Sequence, residues 1–416
     1  MAGIYVHIPF CKSRCAYCDF FSTTRADLVE DYVAALCREI VWRRNEQLSE
    51  GTACEAAVQT IYFGGGTPST LTPSQLMVIL ECIYANYRVA PDAEVTLEMN
   101  PDDVEGERTC GTASSPLRSN SYHGKAISPL TLGSINRVSL GIQTFDDSLL
   151  SLIRRRHNAQ GAINAVKRLQ DAGIKNISID LIYGLPSQTQ EQWQRDLDTA
   201  FSLGVQHLSA YALSYEPGTE LSRWREEGRV KEADEELSVT MYAELCRRAR
   251  QAGFEHYEIS NFALTGFRSR HNSSYWNGNP YLGFGPGAHS YDGNRLRRAN
   301  SPDLDLYLNQ WSCADAGQTK KAGESGLSGL SGKAVTVERL SDADLFDEVV
   351  MCSLRTSRGI SLGAISQRFG QERLDYLLHM AAHHIQASRL VLADGRLRLS
   401  EKALMTSDDI MSDLMA

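Results

Sequence analysis

No stretch of the 416 residues stays apolar for the roughly 18 positions a membrane-crossing helix needs, so no spanning segment is expected. Basic residues are in short supply. Lys and Arg number 42 against 51 Asp and Glu, a formal net charge of −9, which argues against a protein that grips nucleic acid through a basic face. The opening MAGIYVHIPF lacks the basic region and cleavage site of a secretory leader. Its alternating Ile4, Val6 and Ile8 read as a strand, and a cytoplasmic protein is expected. Disulfides are not expected either: seven of the ten cysteines are scattered singly. Cys37, Cys82, Cys246 and Cys352 fall in helix-like patterns as small core residues. Only one C-x2-C pair exists, whereas structural zinc sites usually combine two.

What is present is an alternation. Short β-branched segments at Gly3–Ile8, Val58–Phe63, Glu94–Met99, Asn136–Leu140, Asn176–Ile182 and His207–Leu213 are separated by stretches with apolar residues at helical spacing. Alternation of this kind implies a parallel sheet, and six units suit a partial (β/α)6 barrel of the TIM type, with the doubly wound open sheet as the alternative. Chemically distinctive residues follow the strands: three cysteines after the first, GGGTP after the second, Glu98 near the end of the third, GIQTF after the fourth, Asp180 in the fifth and SYEPG after the sixth. Barrel sites form at the carboxyl ends of strands, so one shared site is expected there.

Residues 105–131, rich in Ser, Gly and Pro, read as an inserted surface loop between the third and fourth strands, and 314–334 as a linker or loop insertion. The expected organisation is thus a core barrel over 1–225, a connecting region over 226–313, that linker, and a C-terminal module over 335–416. The last reads as three helices followed by a hairpin turning at Asp394-Gly395, a winged-helix-like α+β arrangement. Its nine Lys and Arg against twelve Asp and Glu disfavour a DNA-binding role.

Cys11, Cys15 and Cys18 form a C-x3-C-x2-C array. Thiolates bind soft metals, leaving zinc or iron–sulfur open, and three chance neighbours as the bland reading. A cubane cluster on three cysteines leaves one iron to bind a small molecule through N and O atoms. Three thiols make sense if the fourth ligand is not protein.

These residues, with YVHIPFCKSRCAYCDF, GGGTPS, LEMNP, RVSLGIQTFDDSLL, IRRRHN, IDLIYGLPSQT, HNSSYW and YLGFGPGAHS, resemble the radical S-adenosylmethionine (SAM) superfamily. Within it they are most similar to the group of the oxygen-independent coproporphyrinogen III oxidases and their relatives, the HemW haem chaperones. The resemblance covers most of the chain and is broken mainly by the two insertion-like stretches. It implies a 4Fe-4S cluster on Cys11, Cys15 and Cys18, with SAM chelating the open iron and cleaved to a 5′-deoxyadenosyl radical by an electron from a flavodoxin-like or ferredoxin-like donor. It further implies that Tyr5 and Tyr17 flank the cofactor, that Gly65, Gly66 and Thr67 meet its amino group, and that Glu98, Gln143, Arg155 and Asp180 contact SAM. Each of the last four also has a bland reading as a cap, a loop partner or a solvated charge.

The oxidases extend the motif to a fourth cysteine, where this chain has Phe20, and carry an N-terminal extension where only four residues precede Tyr5 here. Both departures match the HemW branch, as does HNSSYW at 271–276. That branch implies haem binding, with His271 as a candidate haem ligand. It also implies transfer of haem to respiratory apoproteins, with membrane contact only through an acceptor. Beside this stand coproporphyrinogen oxidation and a non-enzymatic haem-binding protein on the same scaffold.

Overall fold

A computed structural model describes residues 2–49, 57–104, 134–312 and 334–416. The expected insertion at 105–131 and nearly all of the linker at 314–334 lie outside the described residues. Strands β1 (Ala2–Ile8), β2 (Val58–Gly65), β3 (Val89–Met99), β4 (Arg137–Gln143), β5 (Ile177–Tyr183) and β6 (His207–Ala212) pair in parallel in chain order. Strands β1 and β6 do not pair with each other, so the six form an open, partial barrel. The helix Pro73–Asn86 starts at a capping box of Thr72 with Gln75 and a proline in its first turn, and Thr189 with Gln192 does the same for Gln190–Ser202.

The strands place alternate residues on opposite faces. Ile4, Val6, Ile8, Ile61, Phe63, Val138, Leu140, Ile142, Ile177, Ile179 and Leu181 are fully buried in one core with the helices. Residues offset by one carry polar groups: Tyr5 and His7, Thr60 and Tyr62, Thr96 and Glu98, Arg137 and Ser139, Ser178 and Asp180. The barrel thus has an oily outside under its helices and a polar inside.

Residues 226–313, joined by 335–339, contribute strands to both edges of the same sheet. On one side lie β7 (Glu255–Glu258) and β8 (Asn261–Ala263), the latter antiparallel to β6. On the other, β9 (Tyr281–Phe284) runs parallel to β1, followed by β10 (His289–Tyr291), β11 (Leu296–Asn300) and β12 (Val335–Arg339) in antiparallel order. The whole is a twelve-stranded mixed sheet with β1 in its interior.

The C-terminal module has its own core. Helices Asp342–Leu354, Leu362–Phe369 and Gln371–Gln386 pack with a small sheet of β13 (Ile360–Ser361), β14 (Leu390–Ala393) and β15 (Arg396–Leu399). Asp394 and Gly395 turn the hairpin with φ of +51° and +67°, as the tight turn requires. The module is fastened to the sheet edge by Arg355, whose Nη2 lies 3.0 Å from the buried Glu258 Oε1 and whose carbonyl accepts from the Ile259 amide at 3.0 Å.

Candidate functional site

The loop leaving β1 carries all three clustered cysteines, each half-buried. Backbone bonds tie it down: the Cys11 amide donates to Thr23 O (2.9 Å), Ala16 to Ile153 O (3.2 Å) and Leu221 to Ala16 O (2.8 Å). The turn after β2 approaches from the side, with Gly66 and Thr67 amides donating to Ile8 O and Phe10 O, both at 2.8 Å. A Cβ on Gly66 would stand 2.8 Å from Phe10 O and 3.1 Å from Cys11 Sγ, so only glycine admits that approach. Gly65 has φ of +108°, and a side chain there would strike the His7 ring at 2.6 Å.

A chain of side-chain contacts joins two of the thiols. Cys11 Sγ lies 3.4 Å from Thr67 Oγ1, which accepts from Asn100 Nδ2 (3.2 Å). Asn100 Oδ1 in turn accepts from Arg155 Nη2 (2.6 Å), and Arg155 Nη1 donates to Cys15 Sγ (3.3 Å). Arg155 also donates to Gly141 O, while its buried Nε has no partner among the described residues. Burial pushes the Cys18 thiol up to about 11, so a bound cation is what would hold it as thiolate at neutral pH. Three accessible thiols, a guanidinium beside one of them, a buried donor with no acceptor, and a turn stripped of side chains fit an anionic iron–sulfur cluster with a carboxylate-bearing ligand.

The other expected residues sit around this centre. Tyr17 packs against Ile153 and Ile182 beside Arg155 and the cysteines, and burial raises its phenol. Gln143 occupies a bulge of β4 with φ of +75°, its amide close over Gly141. On the polar inner face Tyr5 stacks on Tyr62 with ring centres 6.2 Å apart, and the Tyr62 hydroxyl donates to Glu98 Oε1 at 2.7 Å. Asp180 accepts from Ser139 Oγ at 3.3 Å and is raised, chiefly by burial. Sequence reasoning missed Asn100, Tyr62 and Ser139. Asn100 lies inside the quoted LEMNP, and the other two share the period-two polar face.

Glu98 is pushed up to about 7, mainly by burial, with the Asp180 carboxyl adding and the Tyr62 hydroxyl opposing. A carboxyl raised in the fold stabilises it while protonated, and that contribution is lost as pH climbs from the ordinary carboxylate range through 7. The advantage of Glu98→Gln over the wild type should therefore grow by about 1–2 kcal/mol between roughly pH 5 and 8. Urea unfolding at the two pH values reads this directly, and a constant difference would refute it.

His271 is 1% exposed, and both its ring nitrogens are engaged. Nδ1 pairs with Thr60 Oγ1 and Nε2 with the Tyr275 hydroxyl, each at 2.8 Å, and burial pulls the ring down to about 3. The imidazole expected from sequence to ligate haem has no free nitrogen for iron in this arrangement. It stacks on Tyr62 with ring centres 4.9 Å apart and anchors the Tyr275 hydroxyl.

Comparison with known proteins adds two family matches: the radical SAM superfamily over residues 5–200 and the HemN C-terminal domain over 340–406. The chain is 35% identical to the heme chaperone HemW of Synechocystis sp. over 370 residues, covering 86% of this chain and 78% of that one. Against the heme chaperone HemW of Bacillus subtilis the figures are 31% identity, with 89% and 88% covered. Among solved structures, coproporphyrinogen III oxidase (HemN) from Escherichia coli superposes with a TM-score of 0.76 over 100% of this chain and 90% of that one, at 21% identity, a likeness of fold.

Proposed function

Because the chain belongs to the radical SAM superfamily and, within it, to the family of HemW proteins, we infer that it is a haem chaperone. In this reading it holds a 4Fe-4S cluster on Cys11, Cys15 and Cys18, binds SAM at the open iron, and passes haem to a respiratory apoprotein in the cytoplasm. The observation that carries the cluster and SAM part is the chain of contacts from Cys11 through Thr67, Asn100 and Arg155 to Cys15. One-electron reduction of SAM is the chemistry such a cluster supplies, with a flavodoxin-like or ferredoxin-like protein as donor.

The chain's own groups have separable tasks. Arg155 donates to Cys15 Sγ and would meet the carboxylate of a ligand bound beside it. Gly65, Gly66 and Thr67 let a ligand's backbone come close, with Tyr5 and Tyr17 as its aromatic walls. Glu98, Gln143 and Asp180 offer acceptors to ribose hydroxyls or to the amino group. Transfer of haem to an acceptor rests on the family alone.

The test is anaerobic reconstitution with iron and sulfide, followed by SAM and a strong reductant. Formation of 5′-deoxyadenosine is expected, and its absence would leave SAM turnover unsupported. Incubation of the same protein with coproporphyrinogen III should return it unchanged. A product lighter by two carbon dioxide units would replace the chaperone reading with the oxidase one.

A further inference from the structure

Beside the cysteine loop, between β1, β9, β10 and β11, lies a cavity of about 600 Å³. Its walls include Tyr5, Phe20, Phe21, Tyr275, Tyr281 and His289. That volume lies within the usual range for pockets that enclose small ligands and cofactors, about 300–1,000 Å³. Phe20, two residues after Cys18, is 65% exposed, although aromatic side chains of this size gain most from being covered.

We propose that this cavity is the haem site, and that His289 supplies the axial ligand to its iron. The inference rests on the haem-chaperone reading and assigns the residues that would serve it. Two histidines line the cavity, and their chemistry differs. His7 is 5% exposed, with Nδ1 at 3.1 Å from the Tyr5 hydroxyl and Nε2 at 2.9 Å from Phe21 O. His289 is exposed, and its ring takes part in no hydrogen bond among the described residues. Burial, with Arg297 nearby, lowers its proton affinity, so at neutral pH the ring is uncharged and keeps a lone pair for a metal.

The phenols that share the wall are poor competitors. A tyrosine ligates iron as phenolate, and burial raises the hydroxyls of Tyr5, Tyr275 and Tyr281. Tyr275 and Tyr5 are in addition occupied by His271 and His7. A free imidazole among five aromatic rings, with Asp19 and no cationic side chain among the described wall residues, suits a metal-bearing planar ring better than a nucleotide phosphate. The position is also well held. The His289 backbone pairs with Ala299 across β10 and β11, and a Cβ at Gly283 would stand 2.0 Å from His289 O, so the strand before it must carry glycine. In this arrangement HNSSYW serves the site through Tyr275, with His271 as a positioning residue.

The experiment is a titration of ferric haem into the full chain, followed by absorption and electron paramagnetic resonance spectra. Wild type should bind one haem with a histidine-ligand signature. His289→Ala should weaken binding at least tenfold and change that signature, and free imidazole should restore it; His271→Ala should lower affinity by a smaller factor, through the loss of Tyr275's anchor, while the histidine-ligand signature persists. Metal-free protoporphyrin should bind wild type and His289→Ala alike, since only the iron senses the ligand. A His289→Ala variant with wild-type affinity and spectrum would remove His289 as the ligand while leaving haem binding intact. Failure of the wild type to bind haem at all would remove the haem reading itself, and this assignment with it.

Discussion

Cys15→Ala is expected to leave the protein unable to retain iron after anaerobic reconstitution and desalting, with loss of the cluster's visible absorption. Three thiols are the fewest that hold a cubane, and no other described cysteine lies in the same loop to replace one. Cys15 is also the thiol that faces Arg155, so its loss removes one of that guanidinium's three partners. Cys37→Ala is the matched control. Its thiol is equally half-buried but sits on the helix Val29–Ser49, and full iron content should survive. Arg155→Lys tests the next layer. Lysine keeps the charge but cannot reach Cys15, Asn100 and Gly141 O together as the guanidinium fork does. A loss of about tenfold in cluster or SAM affinity is expected, the usual range for groups that orient metal ligands. Iron content in Cys15→Ala equal to that of wild type would overturn the assignment of the metal site.

The largest effect on stability should come from Glu39, far from any cysteine. Its carboxylate is fully buried and accepts from the Gly285 amide (2.9 Å), Asn300 Nδ2 (2.8 Å) and the Tyr307 hydroxyl (2.7 Å). Arg43, one turn on, lies 3.8 Å away and donates to Gly283 O (2.6 Å) and Ser290 Oγ (3.0 Å). Together these two residues fasten the helix Val29–Ser49 to β9, β10 and β11. Glu39→Ala should destabilise the protein by about 3–5 kcal/mol, because it strands the buried Arg43 charge and three hydrogen-bond donors. Glu39→Gln should cost less, since the amide oxygen can still accept. Urea unfolding of the full chain measures both, and a loss under about 1 kcal/mol for the alanine variant would show that the carboxylate is dispensable.

The six parallel strands could be read from sequence because each is a β-branched run placed between helical stretches, and their ends moved by only a few residues. Much of the site was legible for the same reason: once the strands are placed, their carboxyl ends gather Cys11, Thr67, Glu98 and Arg155. The edge strands were not. β7 to β11 span three to five residues each, too short to establish a period, and nothing local says that β9 will lie parallel to β1. His289 was hidden with them. In GPGAHS it looks like part of a turn, and only the pairing of β9 with β1 brings it beside Tyr5. His271 had the opposite fate: its motif was conspicuous, but a motif does not reveal that both ring nitrogens are already occupied. The placement of β7 and β9 also explains why 226–313 could not be recognised as part of the sheet.

The interior position of β1 bears on how the chain is made. Residues 2–8 leave the ribosome well before 281–284, yet they pair on one side with 58–65 and on the other with 281–284. The strand that leads into the thiol loop is therefore made long before the β9 segment that covers its other edge, a high-contact-order arrangement that folds slowly. Until 281–300 are made, the wall that β9, β10 and β11 supply beside Phe20 and Phe21 is missing, which leaves those two rings uncovered next to the thiol loop.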